Sequence, residues 1–308
     1  MSYRVKRNSK FAHLPAYVAL VAASVVWPAA SQTPGKASPA KQSSADAKED
    51  RTVVVIRTKT AIKAKPSAEA EIVLQATRDT EFKVTGSTEG WIKVAIKGGG
   101  EGWLPEAEVG LKINRAGRPC VEVSLEKGLD LGALDGAFRG NGSSSGDSVL
   151  LRAKGALTAD ICPRFEPGTV LANQNARGQD MVLNSLRGRP SGSRIVPEID
   201  LHFEPGIEAE YIFEAYCINF DKDNPETSDR LTPNGPATEE VAKILGTRSN
   251  NLEAVQLAIW AITDNVSPHD ASEKFGATAA DIDLARKLLE SAGVPAARFK
   301  LFTSGPPQ

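Results

Sequence analysis

Cysteine, histidine and methionine are scarce in this chain of 308 residues, with three, three and two copies respectively. No Cys-x-x-Cys pair occurs, and the histidines are scattered as His13, His202 and His269. That spacing argues against a metal centre, because zinc sites need four ligands brought in by short-range pairs. No cofactor-binding pattern is present either. Charge of one sign is also missing: the formal net charge is −1, with lysine and arginine dispersed along the chain. Nothing here attracts nucleic acid as a basic stripe would. Long apolar runs are absent as well. The longest, over 14–27, falls short of the ~20 residues that span a bilayer.

That short run has its own meaning. Arg4, Lys6, Arg7 and Lys10 precede it, Pro28 ends it, and Ala29, Ala30 and Ser31 follow. Charge, a short apolar core and small residues are the layout of a cleavable secretion signal. The expectation is a signal peptide over 1–31 and a periplasmic, cell-surface or secreted mature protein with no membrane span. The competing reading is an uncleaved amino-terminal anchor. No lipobox cysteine is present, because Cys120, Cys162 and Cys217 all lie far downstream. Export would place these three in an oxidising compartment. An odd count leaves at least one without an intrachain partner.

Residues 32–51, rich in Pro, Ala, Ser and charge, have too little apolar surface to order themselves and read as a linker. Over 52–111 short β-rich runs (VVVI, EIVL, EFKV, WIKVAI, GWL) alternate with turn residues, a pattern of small barrels. The Lys65-Pro66-Ser67 turn, Gly90-Trp91-Ile92-Lys93-Val94 and Gly102-Trp103-Leu104 resemble a bacterial Src-homology-3-like (SH3-like) domain. Such domains in exported proteins commonly bind cell-wall peptides or other envelope ligands. The resemblance therefore implies ligand contacts at Trp91 and Trp103, against the simpler reading that both are core. Gly90 and Gly102 are expected to turn the chain before each tryptophan, with Val94 and Ile96 pointing inward.

Residues 112–119 read as a hinge. From Cys120 to Cys217 further strands are separated by Gly-, Pro-, Asn- and Ser-rich breaks, as in a β-sandwich or barrel. One break, Gly140-Asn-Gly-Ser-Ser-Ser-Gly146, is too polar to be core. The last third turns helical. A short helix from Thr238 should end at Gly246, Asn250 should cap the next, and a Thr278/Asp281 capping box should open a third that Gly293 closes. The expected architecture is multi-domain: a small all-β barrel over 52–111, then an α+β module over 118–303.

The helix over 251–263 stands out. After Glu253 nearly every residue is apolar, so it should be buried on all sides. Gln256 is the polar exception, and a buried carboxamide without partners costs roughly 1–3 kcal/mol. Tyr216-Cys217 at a strand end, together with Val255-Gln256-Leu257-Ala258-Ile259-Trp260, resembles the bacterial surface thioester domains. In that family the cysteine sulfur attacks the glutamine carboxamide, ammonia leaves, and a nucleophile on a partner, typically an amine, later opens the thioester. The resemblance implies Cys217 as sulfur, Gln256 as acyl donor, Cys120 and Cys162 left to pair, and an amine-bearing surface partner. Most members carry Thr before the glutamine, where this chain has Val255, and the Cys217–Gln256 spacing is short for the family. The bland alternative is a buried cysteine beside a hydrogen-bonded glutamine in a non-covalent binding protein. A third reading is a peptidoglycan cysteine hydrolase with Cys217 as nucleophile and His269 as base. Asp221, Asp223 and Asn224 invite a calcium reading, but a solvated turn fits them better.

Overall fold

The computed structural model describes residues 51–303. The expected signal peptide, and all of the expected linker but Arg51, lie outside these residues. Strands β1 (Thr52–Val55), β2 (Lys59–Lys63), β3 (Ile72–Thr77), β4 (Glu81–Thr88), β5 (Trp91–Ala95), β6 (Glu101–Pro105) and β7 (Val109–Arg115) form the first region. Its small core is Val53, Val55, Ile62, Phe82, Val94 and Leu104 with their neighbours. The run Val53 to Ile56 is continuously apolar because both of its faces are covered. Val53 and Val55 enter the small core, while Val54 and Ile56 enter the large core of the rest of the chain. An alternating strand would leave one face wet.

The expected hinge at 112–119 is a β-hairpin instead. β7 pairs with β8 (Arg118–Ser124) from Leu111↔Glu122 to Arg115↔Arg118. Ala116 and Gly117, both at positive φ (50° and 82°), make the two-residue turn whose twist matches the strands. β8 continues the sheet to β11 (Ile161–Arg164), giving nine strands in the order β11-β8-β7-β1-β4-β5-β6-β2-β3. Cys120 on β8 is bonded to Cys162 on β11, S–S 2.11 Å. Hydrogen bonds tie the regions further. Arg78 Nη2 donates to the Leu131 carbonyl (3.2 Å), and Thr158 N–H donates to Asp79 Oδ1 (2.8 Å). Lys127 Nζ donates to the Glu106 and Val109 carbonyls.

The second sheet closes. It uses β9 (Leu134–Gly140), β10 (Ser145–Gly155), β12 (Thr169–Asn173), β13 (Met181–Ser191), β15 (Glu208–Cys217) and β16 (Arg230–Pro236). Their order is β12-β16-β9-β10-β15-β13, and β13 pairs back onto β12 through Val170↔Val182 and Leu171↔Met181. A six-stranded barrel results, with β14 (Arg194–Val196) paired outside the ring on β13. Between sandwich and barrel, the barrel is therefore the answer. Phe213 packs edge-on against Phe138 (5.8 Å) and Phe165 (5.1 Å) in its core.

Among the described residues six α-helices accompany the sheets: α1 (Leu125–Asp130), α2 (Glu239–Gly246), α3 (Leu252–Thr263), α4 (Pro268–Phe275), α5 (Ala279–Ser291) and α6 (Lys300–Thr303). The Thr278/Asp281 capping box opens α5 as expected. Two ends differ from expectation. Gly246 is the last residue of α2, and the left-handed residue after it is Arg248 (φ 52°). Asn251, not Asn250, caps α3 by accepting from Ala254 N–H at 2.8 Å. Ala254 through Ala261 are all buried, as a helix apolar on every side demands.

Candidate functional site

Cys217 is the last residue of β15, at the mouth of the barrel. Alternation puts it on the face of Ala215 and Phe213, with Met181 its neighbour across the β13 pairing. Gln256 reaches it from the second turn of α3. Both residues have 0% exposed surface. The Gln256 carboxamide forms two hydrogen bonds with the backbone of residue 217. Cys217 N–H donates to Gln256 Oε1 at 3.0 Å, and Gln256 Nε2 donates to the Cys217 carbonyl at 2.8 Å. This satisfies the one polar side chain of the apolar helix body and fixes the carboxamide beside the residue that carries the sulfur. Cys217 N–H is shared, since it also donates to the Ser144 carbonyl at 3.0 Å.

The sulfur rests 3.3 Å from Met181 Sδ. Burial first, and then the Asp180 carboxylate, push the Cys217 thiol well above its ordinary range. On the opposite face of β15, Tyr216 donates to Glu214 Oε1 (2.7 Å), which also accepts from Asn184 Nδ2 (2.6 Å). Arg187 binds the other oxygen of Glu214 at 3.1 Å. Burial, then the bond to Glu214, push the Tyr216 hydroxyl upward as well. This closed network holds the end of β15 from behind. Phe220, Trp260 and Phe275 stack edge-on at 5.1 and 4.9 Å and hold α3 against the loop after β15.

Chemically, the pair places an acyl group beside the backbone of a cysteine, with both residues sealed from solvent. Cys217 N–H already points at the acyl oxygen, where negative charge develops when a nucleophile adds. Of the residues involved, the sequence pointed to Cys217 and Gln256. Met181, Ser144 and Asp180 carried no local signal, because strand pairing across the barrel brings them in.

The hydrolase dyad is not assembled. His269 lies at the start of α4, 78% exposed and paired with Glu273, while Cys217 is sealed. A raised thiol is also the reverse of what a cysteine peptidase needs. His202 is engaged elsewhere, its Nδ1 3.6 Å from Cys162 Sγ and its Nε2 3.1 Å from Asp160. Among the described residues no cluster of three or more His, Cys, Asp or Glu is placed to hold a metal ion. The 221–224 turn is stitched into the fold: Asp223 O accepts from Gln179 N–H (2.8 Å), and Asn224 Nδ2 reaches the Gly142 carbonyl.

In the first region Ile92, Val94 and Leu104 point inward, and Trp91 and Trp103 share the outer face, each half-buried. Neither belongs to the core. Trp91 lines an open groove of about 460 Å³ with Lys59, Lys63, Gln75 and Pro105. Trp103 has Lys93 Nζ 5.9 Å from its ring centre. Gly90 does turn the chain (φ 72°), but Gly102 does not. It lies within β6, where a Cβ would sit 2.3 Å from Ile62 Cγ2, so it is glycine for want of space.

Residues 58–109 match the bacterial SH3 domain model, and residues 214–293 match the thioester domain model. The chain therefore carries a bacterial SH3 domain followed by a thioester domain. The thioester match contains both Cys217 and Gln256. No curated protein and no solved structure gives a significant match. Domains of these two kinds are typical of extracellular or surface proteins. Among the described residues no helix is long and apolar enough to cross a membrane.

Proposed function

We propose that this is an exported surface-binding and adhesion protein that attaches covalently to a partner through a Cys217–Gln256 thioester. The observation that carries it is the pair of hydrogen bonds fixing the Gln256 carboxamide on the backbone of Cys217, inside a matched thioester domain. In the formation step the Cys217 sulfur bonds to the Gln256 acyl carbon and the carbon–nitrogen bond breaks. Ammonia leaves with the thiol proton. In the capture step an amine nitrogen bonds to the same carbon, the carbon–sulfur bond breaks, and the amine proton passes to sulfur. Sulfur suits both steps, as nucleophile and then as leaving group. The apolar body of α3 keeps water away between them.

In this proposal residues 1–31 are the signal peptide and 32–51 the linker. The SH3 domain, 52–111, binds a cell-wall or surface ligand on the outer face that bears Trp91 and Trp103. Residues 118–303 form the thioester module. Methylamine should label wild-type protein at Gln256 and leave Cys217→Ala unlabelled. Absence of label in the wild type would overturn the covalent step. Trp91→Ala and Trp103→Ala should weaken pull-down on cell walls with the fold intact; undiminished binding would remove the tryptophans from the site.

A second reading is non-covalent binding by the same fold. It is favoured by the complete burial of both residues and by a carboxamide whose oxygen and nitrogen are each hydrogen-bonded, which would serve equally as a clamp between α3 and β15. Under it Cys217 keeps a free thiol, and wild-type protein takes up no methylamine.

A further inference from the structure

Cys217 and Gln256 have no exposed surface, so any reagent must wait for a part of the barrel mouth to open. Three connections converge there, because β15 ends where its neighbours β10 and β13 begin. They are 141–144 between β9 and β10, 174–180 between β12 and β13, and 218–229 between β15 and β16. The last two are stitched together. The buried Asp229 carboxylate accepts from Asn173 Nδ2, Asn175 Nδ2 and Glu226 N–H at 3.0 to 3.1 Å. Gln179 donates to Asp223 O and to Lys222 O. Asp180 N–H donates to Asn219 Oδ1 at 2.7 Å. Lys274 holds the Phe220 carbonyl at 2.6 Å. Hydrogen bonds to charged groups are about twice as strong as neutral ones.

The connection at 141–144 is different. It reads Asn-Gly-Ser-Ser and buries no apolar side chain. Its ties to the rest of the mouth are Gly142 N–H to Pro225 O (2.9 Å), Asn224 Nδ2 to Gly142 O (3.4 Å) and Cys217 N–H to Ser144 O (3.0 Å). Its other bonds stay within the β9–β10 hairpin and do not reach the other two loops: Ser143 N–H donates to Asn141 Oδ1, Ser143 Oγ to Ser145 O, Asn141 N–H to Ser148 O and Asn141 Nδ2 to Asp147 O.

We propose that residues 141–144 are a lid over the Cys217–Gln256 pair, and that this lid opens while the two Asp229-anchored loops stay in place. The proposal rests on the reading of Cys217 and Gln256 as the reactive pair. Opening leaves no orphaned donor at the site. Cys217 N–H is shared between Ser144 O and Gln256 Oε1, so losing the first partner leaves it wholly on the second. The acyl oxygen is then polarised most strongly at the moment a nucleophile can enter. Access and activation are thereby coupled through one N–H group.

The test is the rate of labelling in folded protein: methylamine addition where the thioester is present, alkylation of the Cys217 thiol where it is not. The lid is thus measured whichever state the pair is in, and loss of methylamine labelling alone would count against the thioester and not against the lid. Asn224→Ala, which frees Gly142 O, should raise the rate about twofold, the factor for a long, exposed hydrogen bond at the weak end of the range. Asn175→Ala, on the anchored side, should leave it unchanged. Amide hydrogen exchange should be faster over 141–146 than over 174–180 and 218–229. Equal acceleration by both variants, equal exchange in all three segments, or labelling rates that follow global unfolding would each overturn the lid.

Discussion

Removing the Gln256 carboxamide should destabilise the fold by an amount that the hydrogen-bond geometry sets. The comparison is best made in Cys217→Ala protein, where no thioester can form and the backbone of residue 217 still offers both partners. Adding Gln256→Ala there removes the donor to the residue 217 carbonyl, and an unsatisfied buried carbonyl costs about 1–3 kcal/mol. The N–H loses less, because Ser144 O still accepts it at 3.0 Å. Deleting the buried methylene adds roughly 0.8 kcal/mol, and the better helix propensity of alanine returns about half of that. The sum is a loss of about 2–4 kcal/mol. For a domain of this size each kcal/mol lowers Tm by about 2–4 °C, so Tm should fall by roughly 5–15 °C. Urea unfolding of Cys217→Ala and the double variant, with an unchanged slope, measures the difference. A change below about 0.5 kcal/mol, the size of an ordinary surface substitution, would refute the claim that the carboxamide is clamped on residue 217.

The Cys120–Cys162 disulfide closes a loop with a sequence separation of 42. By loop entropy, Cys120→Ser/Cys162→Ser should lose about 4 kcal/mol in urea unfolding; a loss under about 1 kcal/mol would show that the β8–β11 pairing alone holds this junction. Gly102→Ala should cost about 1–3 kcal/mol through the overlap of its Cβ with buried Ile62, measured by thermal melting, and an unchanged Tm would contradict the packing argument. Asp281 hydrogen-bonds Thr278 through side chain and backbone, which holds its carboxyl below the usual range. A lowered carboxylate stabilises the folded state above its unfolded pKa of about 4, and that contribution fades as pH falls through the lower folded value. Wild-type α5 should therefore loosen in acid, and Asp281→Asn should weaken that part of the pH dependence in amide exchange; an unaltered profile would count against the capping role.

Local chemistry made parts of this fold legible in advance. The Thr278/Asp281 box and the all-apolar helix body around Gln256 depend on neighbours within a few residues. Long-range pairing was less visible. The closing of β13 onto β12 involves no residue type that announces it, so sandwich and barrel stayed equally compatible with the strand pattern. The hinge expected at 112–119 became a hairpin because Ala116 takes a positive φ that alanine rarely adopts. Gly102 was expected to turn the chain, yet it answers to the Ile62 methyl on a neighbouring strand. At the site, Cys217 and Gln256 were legible as a motif. Their environment was not: Ser144, Met181 and Asp180 arrive from strands and loops far away in sequence.

The central claim is that Cys217 and Gln256 join covalently. The most direct measurement is the intact mass of purified wild-type protein under denaturing, non-reducing conditions. A thioester leaves the mass lower by one ammonia than the disulfide-bonded sequence requires, with full expected mass for Cys217→Ala and Gln256→Ala. Wild-type protein at full mass, with Cys217 alkylated as a free thiol on unfolding, would contradict it.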